Sequence, residues 1–94
     1  MIIVGGRFEV DPESRDAFLD EHHELMRTSR SEDGCLEYTF AADPLEPDAV
    51  ILFERWESQA ALDAHLAAIS GTRTVTPRSA SITLYEVAAE RPLR

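Results

Sequence analysis

Ninety-four residues make one domain, and a chain this short buries only roughly 60–65% of the surface its unfolded form exposes, so its own core is thin. Eighteen acidic against nine basic side chains leave a net charge of −9, which repels phosphate backbones and anionic lipid and argues against nucleic-acid and membrane partners. The one cysteine, Cys35, cannot close an intrachain disulfide, and zinc-type Cys/His spacing is absent, so a reduced, cytoplasmic setting without a metal site is expected.

The opening MIIVGG carries no basic residue of the kind a secretion signal needs, and no apolar run approaches the ~20 residues of a membrane span. From Ile2 to Val10 the residues alternate, with Ile2, Val4, Phe8 and Val10 opposite Ile3, Arg7 and Glu9, which predicts a strand with one buried face. Gly5 and Gly6 interrupt it; glycines there fit a bulge, plain drift, or a place where a ligand or another backbone comes close. Asp11, Pro12 and Glu13 form a helix start, with a capping acceptor, a proline in the first turn and an acid facing the positive end of the dipole. The spacing then predicts one helix to about Arg30, with Phe18, Leu19, His22, Leu25 and Met26 on its apolar face.

Ser31 to Gly34 closes that helix, and Cys35 to Ala41 is a second strand with Leu36, Tyr38 and Phe40 sharing a face. A proline-containing loop, Asp43 to Asp48, joins it to a third strand, Val50 to Glu57, as an antiparallel hairpin. Ser58 caps a second helix whose Ala61, Leu62, His65, Leu66 and Ile69 recur on one face. After a loop over Gly71 to Ser79, Ala80 to Ala89 alternates as a fourth strand, and Glu90 to Arg94 is a tail. Residues 1–94 thus form a single domain of order βαββαβ. Chain-crossing rules turn this into an α+β, ferredoxin-like fold: a four-stranded antiparallel sheet with the helices on one face. The third strand is apolar on both sides, Val50 and Leu52 opposite Ile51 and Phe53, so a second copy is the expected cover for the bare face.

The stretches GCLEYTF, Gly34 to Phe40, and FERWESQAALDAHL, Phe53 to Leu66, resemble the antibiotic biosynthesis monooxygenase family of dimeric α+β barrel proteins. The most specific part is glutamate-x-tryptophan before a serine-capped helix with a histidine: Glu54, Trp56, Ser58 and His65. The resemblance implies a homodimer that oxidises a small quinol or polycyclic aromatic with O2, using no metal, flavin or haem, in a cavity between sheet and helices. Relatives degrade haem or isomerise a phosphorylated signalling sugar. The haem-degrading pattern needs an asparagine in the first strand and a tryptophan on the second helix; this chain has no asparagine, and His65 stands at the tryptophan position.

Cofactor-free oxygenation of a phenol needs a base and a shaped apolar cavity. His65 is the candidate base, assisted by Glu54, with His22 as a further candidate. Each has a plain structural alternative: an interior histidine satisfied by its neighbours, or an ion pair of Glu54 with Arg7, Arg55 or an arginine of the second copy. Trp56 and Phe40 could wall an aromatic pocket or be ordinary core, and Tyr38 and Tyr85 could donate to a substrate oxygen or anchor the sheet. Gly6 completes the candidate substrate contacts. The competing functions are an isomerase of a small sugar-like ligand, for which Arg7, Arg55, Arg73 and Arg78 are the available cations, and a non-catalytic dimeric binding domain.

Overall fold

The computed structural model describes residues 1–69, 71 and 73–94; Thr72, within the expected fourth loop, lies outside them. Strands β1 (Ile2–Glu9), β2 (Cys35–Ala42), β3 (Ala49–Trp56) and β4 (Ser79–Glu86) form one sheet in the order β2-β3-β1-β4, antiparallel throughout. Helices α1 (Arg15–Glu21), α2 (His23–Arg30) and α3 (Gln59–Ala68) pack on one side of it, the α+β, ferredoxin-like arrangement. Among the described residues no helix is long and apolar enough to cross a membrane.

The alternation of β1 and β3 sets the layers. Directly paired residues point to the same side, so the row Tyr38–Glu54–Val4 and the flanking Phe40, Leu52 and Trp56 all face the helices. With Val10, Phe18, Val50 and Leu62 they make the core. The other side of the sheet carries Ile3, Ile51, Phe53 and Tyr85, with no helix or strand of the described residues over it, and β4 is exposed along its whole length.

Three local expectations change. The long first helix is broken at His22, after a 3-10 turn over Pro12–Ser14 that Asp11 caps. His22 Nδ1 donates to the Phe18 carbonyl at 2.6 Å, so its own backbone N–H turns to Leu19 O at 3.0 Å instead and the chain tightens there. In β2 the register slips between Cys35 and Glu37, so Leu36 is exposed rather than aligned with Tyr38, and Cys35 turns toward Trp56 and the core. Leu66 on α3 and Ile69 just after it are exposed, because the helix turns its Ala61, Leu62 and His65 edge to the core.

Gly34 positions α3. Its φ is +81°, and a Cβ there would lie 2.6 Å from the Ala61 Cβ, while its carbonyl takes the Glu57 N–H at 2.8 Å. Gly34→Ala therefore meets both a backbone penalty and a clash, and is expected to cost about 2–4 kcal/mol in urea unfolding. A loss below about 0.5 kcal/mol would contradict this close approach.

Candidate active site

β2, β3 and α3 bring Tyr38, Glu54, Trp56 and His65 together. His65 is 2% exposed, its ring centroid 4.7 Å from that of Trp56 and 5.1 Å from that of Tyr38. Trp56 is fully buried and its indole N–H donates to Glu54 Oε1 at 2.9 Å, a contact set by their i, i+2 positions on one strand face. Phe40 and His22 continue the aromatic layer, with ring centroids 4.4 Å apart. Gly6 sits lower in the sheet, where a Cβ would press on Ile82 at 3.1 Å, so its smallness serves strand packing there. Tyr85 stands on the opposite face, half exposed and away from this cluster.

Neither Arg7 nor Arg55 pairs with Glu54. Arg7 and Arg55 lie on the far side of the sheet, where Arg7 meets Asp43 at 3.0 Å and Arg55 meets Glu37 at 3.3 Å. The carboxylate that reaches His65 is instead Glu32, whose Oε1 is 2.6 Å from His65 Nδ1. Glu32 sits in the loop after α2, and only the folded chain brings it across 33 positions to α3. Ser29, a small polar residue that apolar periodicity passes over, continues the inward-facing 22, 25, 26 spacing of its helix and is buried. Its hydroxyl is fully buried beside the Tyr38 phenol.

His65 and Ser29 belong to the lining of a cleft of about 250 Å³ beside α2 and the end of α3, together with Glu21, Glu24, Glu32, Gly71 and Arg73. Arg30 holds this side together, donating from Nε to the Tyr38 carbonyl at 2.8 Å. Burial, aided by the Glu54 charge, pushes the Tyr38 phenol well above its usual range, so it stays protonated as a donor. Burial likewise lowers His22, whose neutral ring matches its Nδ1–H bond to a carbonyl, and raises the Cys35 thiol, which fits packing rather than reactivity. Among the described residues no three His, Cys, Asp or Glu side chains converge as a metal site.

Burial also raises Glu54, with the Trp56 N–H and the nearby His65 countering only in part. The folded chain therefore keeps this proton to higher pH than the unfolded chain, and stability falls as pH rises from the ordinary carboxylate value through the folded one. Glu54→Gln still accepts the Trp56 N–H without a buried charge. It is expected to gain roughly 1 kcal/mol at neutral pH and to lose that slope in urea melts across the acid range. A less stable variant at pH 7 would overturn the assignment of Glu54 as a desolvated, under-compensated acid.

Fold and geometry together give a small α+β domain in which a buried histidine is walled by aromatic side chains. The chain belongs to the antibiotic biosynthesis monooxygenase family, whose model matches residues 1–70. It is 32% identical over 65 residues to YcnE of Bacillus subtilis, a monooxygenase by assignment, covering 69% of this chain and 68% of that protein. It is 35% identical over 60 residues to YgiN of Escherichia coli, a quinol monooxygenase by assignment, covering 55% of this chain and 58% of that one. A crystal structure from Deinococcus radiodurans, assigned to the same family, superposes with a TM-score of 0.86 at 24% identity over 100% of this chain and 99% of that chain, a likeness of fold.

Proposed function

We propose that this chain is a cofactor-independent monooxygenase that oxidises a small quinol or related electron-rich phenol with O2, acting as a homodimer. The observation that carries the proposal is the His65–Glu32 contact at the cleft wall. A carboxylate can only accept, so Nδ1 donates to Glu32, and the neutral form of the ring then has its lone pair on Nε2, the arrangement of a histidine base oriented by an acid. A quinol that gives a phenolic proton to Nε2 becomes a quinolate able to pass one electron to O2. Recombination of semiquinone and superoxide at a ring carbon, then loss of water, gives a hydroxyquinone: quinol + O2 → hydroxyquinone + H2O. Glu32 offsets the positive charge that develops on the imidazole during transfer.

Charge at the cleft favours this over a phosphorylated ligand. Of Arg7, Arg55, Arg73 and Arg78, Arg73 alone is among its lining residues: Arg7 and Arg55 face the other way, and Arg78 bonds the Val10 carbonyl at 2.9 Å. Dimerisation is supported by the uncovered Ile3, Ile51 and Phe53 face, whose burial at ~25 cal/mol per Å² would strengthen a thin core. The test is oxygen uptake across a panel of quinols with protein dialysed against chelator. Turnover above the no-enzyme rate, without added flavin or metal, is expected; a strict need for either would refute the cofactor-free mechanism.

A further inference from the structure

We infer that Glu21 is a positioning residue for the cleft: its carboxylate clasps the chain at Thr74 and Val75 to the end of α1 and so holds the Arg73 guanidinium in the cleft that His65 lines. This rests on the proposed active site and adds to it a residue that acts through another. Three observations combine, of which the first is the clasp itself. Glu21, the last residue of α1, accepts from the Thr74 N–H at 3.0 Å, from the Val75 N–H at 3.2 Å and from the Thr74 hydroxyl. Those donors, the Thr74 hydroxyl foremost, hold the carboxyl below its usual range although burial opposes them, so the clasp is charged at neutral pH. The second is how little else secures this stretch. Between α3 and β4 the described residues form no helix or strand, and the backbone is tied near its ends, by the Ile69 N–H to the His65 carbonyl at 3.0 Å and the Arg78 N–H to the Glu9 carbonyl at 2.7 Å. Among the described residues Glu21 supplies the one side chain hydrogen-bonded to its middle, where Val75 also packs against the core.

The third is what the clasped stretch carries. Arg73 immediately precedes the clasp and lines the cleft, and its charge is felt at the Tyr38 phenol and the His22 ring, so the guanidinium is turned toward the aromatic layer. Gly71 leaves it room, since a Cβ there would lie 2.8 Å from Nη1 of Arg73. The carboxylates of the cleft are engaged elsewhere: Glu21 in the clasp, Glu24 with Arg27 at 2.6 Å and Glu32 with His65, and among the described residues none pairs with Arg73. A guanidinium kept facing the cleft meets the negative charge that arises as a phenol gives its proton to His65. Without the clasp, the stretch regains conformational freedom and the guanidinium its alternatives in water.

Trypsin reads the clasp without turnover, because the bond it cuts after Arg73 is the one whose N–H, that of Thr74, Glu21 holds. Under native conditions Glu21→Ala is expected to be cut there about tenfold faster than the native chain or more, with cleavage after Arg55 inside β3 unchanged as the control for global unfolding. Glu21→Gln, which keeps a carbonyl acceptor for one N–H, should fall between. The role in the site is read by kcat/KM for quinol oxidation. Glu21→Ala and Arg73→Ala are each expected to lower it about tenfold, and the double variant about tenfold as well, because both act through one guanidinium. Equal cleavage after Arg73 in the native and Glu21→Ala chains, or additive losses of about a hundredfold in the double variant, would overturn the inference. Faster cleavage beside a native chain that consumes no oxygen with any quinol would sink the oxygenase and keep the clasp. Quinol turnover with kcat/KM unmoved by Glu21→Ala would do the reverse, leaving Glu21 a structural contact only.

Discussion

His65→Gln is expected to lower oxygen-dependent quinol turnover by ~10²-fold or more, the usual scale for losing a general base, while the melting temperature stays nearly unchanged. The stability half follows from the contact: a glutamine amide can still donate to Glu32 across the place His65 Nδ1 occupies, so no buried acceptor is stranded. Glutamine has no lone pair of comparable basicity to take the phenolic proton. Glu32→Gln, a change to a positioning residue, should lower kcat less, by about tenfold, with KM nearly fixed, because the ring loses its orientation but keeps its nitrogen. If His65 is only part of the core, the order inverts. The substitution would then cost ~1–3 kcal/mol and leave turnover per folded molecule intact. Unfolding and turnover measured on one preparation separate the two cases.

Phe53→Asp is expected to separate the proposed homodimer into monomers of 10.5 kDa without unfolding them. Phe53 sits on the uncovered side of the sheet between Gly5 and Thr39 and is already 37% exposed in the single chain, so the fold tolerates a carboxylate there. A dimer would bury it, twice by symmetry, against apolar neighbours such as Ile51 with no described cation among its direct pairing partners. At about 2 kcal/mol per copy the dissociation constant should rise about 10³-fold, visible by light scattering at micromolar concentration with an unchanged far-ultraviolet spectrum. A native chain already at the monomer mass, or a variant still at twice that mass, would contradict the sheet-on-sheet dimer.

The fold was legible because its signals are local. Alternation in Ile2–Val10, the Asp11 and Ser58 caps, and the two-sided apolar run Val50–Phe53 each reflect a period or a cap that neighbouring residues determine. What escaped depends on competition or distance. The break at His22 arises because a side chain takes the carbonyl its own backbone would have used, and periodicity is blind to that. Leu36 is exposed because one residue of slip reverses a strand's faces. At the site, Trp56, Glu54, Tyr38 and His65 were named from the sequence, and the fold gathers them. The alternative pairing of Glu54 with Arg7 or Arg55 fails because the sequence alone does not tell which sheet face Glu54 occupies. Glu32 carried no local mark, whereas Ser29 did, through helical spacing that placed a small polar residue on a buried face.

The most direct test of the central claim, a histidine-based oxygenase needing no cofactor, follows the oxygen atoms. Chelator-treated, flavin-free protein would be given a small neutral quinol under 18O2 and the product examined by mass spectrometry beside a His65→Gln control. The predicted result is a hydroxyquinone carrying one 18O atom, one O2 consumed per product, and little product from the variant. Unlabelled quinone with hydrogen peroxide, or equal labelling with and without His65, would contradict it.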